Sequence, residues 1–302
     1  MDGLPDLLLP HLAERVAPAT IQMLSDKLKS LSAPEDQAVA ADLARRIERS
    51  LPDGHHLRGP YLVVIGETAL ARFEDTLDID DLDEAVEAYR AAVRATPDDH
   101  PHRATPLTHL TSCLLKCFEQ TEDPEDLDEA VDVGRAAVRA MPDDHPERAA
   151  PLMNLSTALQ QRFLRTGDIQ DLNETVTVGI AAVRAVPDDH PQREPLLVNV
   201  RAALQQQLEH SGDLGNLDEL AAVFRAAARV TPVNSTHHVG HLADLAAALQ
   251  QRFERTGDPG DANEVVEASR AAVRAAPDDQ PCPGASPRPG TAHRTRPRHR
   301  RQ

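Results

Sequence analysis

Hydrophobic positions along this chain fall on helical stripes, and the stripes return every 45 residues. In the stretch PLMNLSTALQQRFLRTGD, Leu152, Leu155, Leu159 and Phe163 share one side at helical spacing with polar residues between them. That is the pattern of a helix buried along one stripe. Gly167 follows as a left-handed stop, and Gly212 and Gly257 repeat it. A second helix then opens in a polar cluster: DLDEAV at Asp81 and again at Asp126, DLNETV at Asp171, NLDELA at Asn216 and DANEVV at Asp261. Each has Asp or Asn three residues before Glu, the form of a capping box. Asp81/Glu84, Asp126/Glu129, Asp171/Glu174, Asn216/Glu219 and Asp261/Glu264 are therefore expected to cap these helices. Ala85, Ala88 and Ala92 leave this second helix a small-residue face for close approach, and Pro97 ends it. Each unit reads helix A, turn, helix B, turn.

The register holds without insertion or deletion. Pro97, Pro142, Pro187, Pro232 and Pro277 keep the step, as do Phe73, Phe118, Phe163, Leu208 and Phe253. A fixed period in this range predicts a solenoid of stacked units. Residues 59–280 hold five of them. Residues 1–58 read as a degenerate capping unit, with PDGHH at Pro52 one period before Pro97 and an expected second helix from Asp36. Its expected first helix covers 19–31. Residues 281–302 break the period and read as an unordered basic tail rich in Pro and Arg. The abrupt loss of pattern near Gln280 also fits a departure from the natural reading frame.

Ala85, Tyr89, Ala92 and Pro97 stand at spacings that resemble the second half of a tetratricopeptide repeat (TPR), and Leu155–Ser156 before Leu159 is similar to its first half. The resemblance covers roughly residues 16–280, in a unit longer than the family's 34-residue repeat, and lacks its early Trp. It implies an all-α, right-handed superhelical solenoid of antiparallel helix pairs, whose helix A lines a concave groove that receives a peptide. Long-period units of this kind also resemble arrays that precede CHAT (caspase-like) peptidase domains in actinobacterial proteins. That likeness implies an alternative role, as the sensor arm of a larger protein.

Composition narrows the class. Aromatics are 2% of the chain and Trp is absent, so its 40% of hydrophobic residues must build a core of Ala, Leu and Val, which suits close-packed helices. Removing the six arginines of residues 281–302 leaves 26 basic against 49 acidic residues, a body that repels nucleic acid and anionic membranes. Three cysteines make no disulfide framework, and the N-terminus lacks a signal-peptide pattern, so a soluble cytoplasmic protein is expected.

Residues with potential chemistry cluster in the turns and on one helix. PDDHP occurs at Pro97–Pro101, Pro142–Pro146 and Pro187–Pro191, once per unit, with PDDQP at Pro277. Groups spaced one per unit do not converge on an ion, so a turn is expected rather than a metal site. His109, Cys113 and Cys117 share a helical face, but three ligands on one helix rarely close a tetrahedron. Cys113 is expected to pack and Cys117 to lie at the surface. His55, His56, His237, His238 and His241 are expected in turns between units. No nucleophile–base–orienter set stands out, so neither an enzyme nor a cofactor is expected.

On a helical wheel, Asn154, Thr157, Gln161 and Arg165 lie opposite the Leu152/Leu155/Leu159/Phe163 stripe. Their counterparts are His109, Ser112 and Lys116 in the unit before, Asn199 and Gln206 in the unit after, and Asp244 and Gln251 in the last. This is the candidate groove, a hydrogen-bonding surface for a peptide or protein partner. The last helix B, Glu264–Ala275, lacks a following unit and is expected to favour self-association.

Overall fold

The computed structural model describes residues 34–187, 190–211, 214–233 and 235–276. The first helix expected for the capping unit and the tail 281–302 lie outside the described residues, as do Gly212 and the PDDQP stretch. Eleven helices occupy the described residues: α1 (Pro34–Ser50), α2 (Arg58–Thr76), α3 (Ile79–Ala95), α4 (Ala104–Thr121), α5 (Pro124–Arg139), α6 (Ala149–Thr166), α7 (Ile169–Ala185), α8 (Arg193–Ser211), α9 (Leu214–Val230), α10 (Thr236–Thr256) and α11 (Pro259–Ala275). No strand occurs among them. The fold is all-α.

The chain divides into two compact units, Met1–Val223 and Phe224–Gln302. In the first, α2 pairs with α3, α4 with α5 and α6 with α7, and each helix also packs on the next. Helix α4 further touches α6, so first helices of successive pairs lie side by side, as a helical solenoid requires. The core threads these layers. Ala69, Phe73, Leu82, Ala85, Tyr89, Leu110, Leu114, Leu127, Leu155 and Leu159 belong to one buried cluster. The predicted stripe Leu152, Leu155, Leu159 and Phe163 is buried throughout. In the second unit α10 packs on α11.

The turn from helix A to helix B explains the repeated letters T-G-D. Helices α2, α4, α6 and α10 each end on a residue in the left-handed region: Leu77 (φ 59°), Glu122 (φ 56°), Gly167 (φ 71°) and Gly257 (φ 69°). In each, the backbone N–H of that residue donates to the carbonyl of the Phe four residues before, at 2.7–2.8 Å. The preceding Thr hydroxyl accepts the N–H of the Asp that follows (Thr76 from Asp78, Thr166 from Asp168, Thr256 from Asp258). That Asp is the N-cap of the next helix. Asp78 accepts from Asp80 N–H, Asp123 from Glu125, Asp168 from Gln170 and Asp258 from Gly260.

These caps correct the capping-box reading. Helix B begins three residues earlier than DLDE suggests, so Asp81, Asp126, Asp171 and Asp261 lie inside the first turn. Asp171 and Asp261 are buried there. Arg162 grips Asp171 at 2.7 and 2.8 Å, and Arg252 grips Asp261 in the same way. The Glu three residues on points to another unit instead. Arg90 of α3 reaches Glu129 of α5 with two bonds at 3.0 and 2.5 Å, and Arg135 of α5 reaches Glu174 of α7 identically. Arg45 meets Glu84 and Arg225 meets Glu264, always 39 residues apart. Helix B is thus tied to the next helix B by a forked guanidinium–carboxylate pair. Ile180 occupies the position of the arginine that would face Glu219.

Candidate functional site

PDDHP proves to be a device for ending helix B. His100, His145 and His190 accept at Nδ1 the N–H two residues on, from His102, Glu147 and Gln192, at 3.1–3.2 Å. The arginine after the motif turns back onto the helix just completed. Arg148 donates to the carbonyls of Val138 and Met141, and Arg193 to those of Val183 and Val186 at 2.9 Å. Arg103 donates likewise to Val93 and Thr96. Arg103 and Arg148 also pair with the first Asp of the motif, Asp98 and Asp143, at 2.8 and 2.7 Å. The carbonyls left over at the end of a helix thereby find a cationic donor. In all three copies the imidazole Nδ1 is used within the turn, and in the first two the first carboxylate is held by the arginine that follows.

Cys113 and Cys117 are both buried. Burial pushes each thiol up to about 12, which keeps it neutral and a poor ligand or nucleophile. Cys117 is therefore not the surface residue the sequence suggested. It replaces the arginine found at Arg72, Arg162 and Arg252, and so leaves Asp126 without a guanidinium partner from that position. Desolvation, with Asp123 nearby, raises the Asp126 carboxyl above its ordinary range. Of the histidines expected between units, His55 accepts the Leu57 N–H as its counterparts do, whereas His237, His238 and His241 all lie within α10, with His241 buried.

The candidate groove residues of the first unit lie on α4, α6 and α8. All of them are half-buried except Arg165 and Asn199, which are exposed. Several brace one first helix to the previous one. His109 Nε2 lies 3.9 Å from Glu67 Oε1 and Lys116 Nζ 3.4 Å from Glu74, both from α4 to α2. Asn154 Nδ2 donates to the Thr108 carbonyl at 3.2 Å, and the Arg165 guanidinium sits 5.3 Å over the Phe118 ring, both from α6 to α4. Thr157 instead bonds the Met153 carbonyl of its own helix, as Ser and Thr do within helices. Gln161 and Gln206, one period apart, each bury a side-chain carbonyl oxygen that has no hydrogen-bond partner. In the second unit, Asp244 and Gln251 lie on α10, half-buried and exposed respectively.

Two residues of this stripe escaped the sequence reading. Glu67 is the counterpart of Ser112 one period earlier, and only the period could have marked it. Tyr89 belongs to helix B, yet its ring stacks on His109 with centroids 5.2 Å apart. The clue available in sequence was Gly66, which makes room for that ring.

The chain is thus an array of stacked helix pairs with a polar stripe across neighbouring first helices. Among solved structures it is similar to the S. pombe nuclear import adaptor Nro1 (13% identity over 87% of this chain and 93% of that one, TM-score 0.51). It is also similar to a putative kinesin light chain of Podosopora anserina with nearly identical TPR-like repeats (18% identity, 80% and 97% covered, TM-score 0.40). MamA is similar too, at 13% identity with 70% and 94% covered and a TM-score of 0.42. At these identities the likeness to Nro1 concerns the fold alone, and the other two carry no inference. No protein-family model matches the chain, and no curated protein matches it. No described helix is long and apolar enough to cross a membrane.

Proposed function

We propose that the chain is a non-enzymatic scaffold that holds an extended peptide, or an extended segment of a protein, along the polar stripe of α4, α6 and α8. The observation that carries this reading is the chemistry of that stripe. Its side chains are half-exposed hydrogen-bonding groups that cross between neighbouring helices, and Gln161 and Gln206 hold acceptors that the free chain leaves unsatisfied. A buried acceptor without a partner costs about 1–3 kcal/mol, which an amide regains by turning to meet a ligand's N–H. An array forming the sensor arm of a longer chain would use the same surface. The neutral, buried thiols of Cys113 and Cys117 supply no nucleophile and support the non-enzymatic reading.

The test is to pan the full chain against a phage-displayed random peptide library and measure the selected peptides by fluorescence anisotropy. Replacing Asn154 and Gln161 together by Ala should weaken binding at least about tenfold, the equivalent of ~1.4 kcal/mol. Peptides that bind equally well to this variant would overturn the groove.

A second contact surface lies on α11. Val266 is 45% exposed and Val273 69%, whereas Val176, Val131 and Val86, two, three and four periods before Val266, are buried. Arg270 bonds Glu267 of its own helix at 3.3 Å, where Arg90 and Arg135 reach the next helix B. Acids occupy the first half of α11 (Asp261, Glu264, Glu267) and bases the second (Arg270, Arg274). An antiparallel second copy of α11 sets Val266 against Val273 and opposite charges across the pair. Weak self-association through this face is the proposal.

A further inference from the structure

The seam between α2 and α4 differs in chemistry from those that follow. Tyr89 stands at a helix-B position that is Gly134 and Gly179 in the next two units. A Cβ built on Gly66 would lie 2.7 Å from Tyr89 Cζ and within 2.9 Å of both Cε atoms. Bulk has been exchanged between layers: Gly66 with Tyr89, then Thr111 with Gly134, then Ser156 with Gly179. Only in the first case does a helix-B side chain pass into the A layer. Its phenol then lies against His109, which faces Glu67 across 3.9 Å.

The Tyr89 hydroxyl adds no hydrogen bond to the fold. The residue is fully buried and the hydroxyl has no hydrogen-bond partner. A phenol buried in this way loses its hydration and gains nothing in exchange. Phe224, three units later at the same position, fills its site without that cost and is equally enclosed. The unpartnered hydroxyl is an acceptor that a donor from outside the chain could satisfy.

We propose that this seam is a subsite for a cationic side chain, Lys or Arg, of the peptide carried in the groove. This rests on the groove reading above. The His109 ring, about one-third exposed, swings aside, and the cation donates to the Glu67 carboxylate and to the Tyr89 oxygen. The surroundings suit that sign of charge. Glu67 and Glu74 both belong to α2, and the nearby Lys116 is engaged by Glu74 at 3.4 Å. Burial beside Tyr89 pushes the Cys113 thiol up to about 12, so it is neutral at physiological pH and does not compete for the cation. An anion placed here would meet the largely buried Glu67 carboxylate, with the exposed Glu74 carboxylate nearby.

The experiment uses the full chain and peptides selected from the phage-displayed random library. Selected sequences should carry Lys or Arg at one fixed position, and norleucine at that position should weaken binding at least about tenfold. Glu67→Gln and Tyr89→Phe should each weaken the basic peptide severalfold and leave the norleucine peptide unchanged. Tyr89→Phe should at the same time hold or raise the melting temperature, which separates a binding role from a packing one. Selected peptides without a basic preference, or equal losses for both peptides, overturn the subsite and leave the groove standing. Recovery of no binding peptide overturns the groove and the subsite together.

Discussion

Leu77 and Glu122 hold a left-handed backbone conformation where Gly167 and Gly257 do so without strain. A side-chain-bearing residue in that region costs about 1–2 kcal/mol, and glycine gives back roughly 0.5–1 kcal/mol in unfolded-state entropy. Leu77→Gly and Glu122→Gly should therefore each stabilise by about 0.5–1 kcal/mol in urea titrations, and Gly167→Ala should destabilise by a similar amount. Two carboxylates respond to pH with opposite sign. Desolvation raises the Asp126 carboxyl, so its stability contribution is complete below the ordinary carboxylate range and is lost as pH rises through the raised value. Asp126→Asn should then be at least as stable as the parent at neutral pH, with any advantage gone in acid. Burial acts on Glu84 too, but Arg45 and Arg72 overcome it and hold its pKa low. That contribution is present above the ordinary value and is lost as pH falls through the lowered one. Glu84→Gln should cost most at neutral pH and least in acid, read from melting temperatures across the range.

At the scale of elements, two classes of Arg–carboxylate pair should separate cleanly. Arg90 and Glu129 are each about one-third exposed, so solvent screens their attraction and a double-mutant cycle should return about 0.5–1 kcal/mol. Arg162 holds a carboxylate that is almost wholly buried. Arg162→Met strands Asp171 and should cost about 3 kcal/mol. The 45-residue step made the helices themselves legible, because burial follows hydrophobic stripes and both stripes repeat. The capping letters misled because Asp–x–x–Glu has the same spacing in two different roles. Here the Asp takes an arginine from its own unit's helix A, and the Glu takes one 39 residues away. A pairing of that span leaves no local trace; only the parallel recurrence of Arg45, Arg90 and Arg135 with Glu84, Glu129 and Glu174 encodes it. The stripe positions His109, Asn154 and Asn199 were readable from the wheel, since helix geometry fixes which residues share a face. Tyr89 was not, because Gly66 marks a space in the sequence without saying which side chain of another helix fills it.

For the whole molecule, the exposed valines of α11 predict weak association. Sedimentation velocity over a hundredfold concentration series should show a rising weight-average sedimentation coefficient. Val266→Glu with Val273→Glu should abolish the rise while leaving helix content unchanged by circular dichroism. An identical rise in this variant would contradict the α11 contact. The polar stripe supports peptide capture as the proposed function. Its most direct test is hydrogen–deuterium exchange of the full chain with and without a peptide selected from the phage-displayed library. The account predicts added protection on α4 and α6, around His109, Ser112, Asn154 and Gln161, with the PDDHP turns unchanged. Protection confined to those turns, or to α5 and α7, would contradict it.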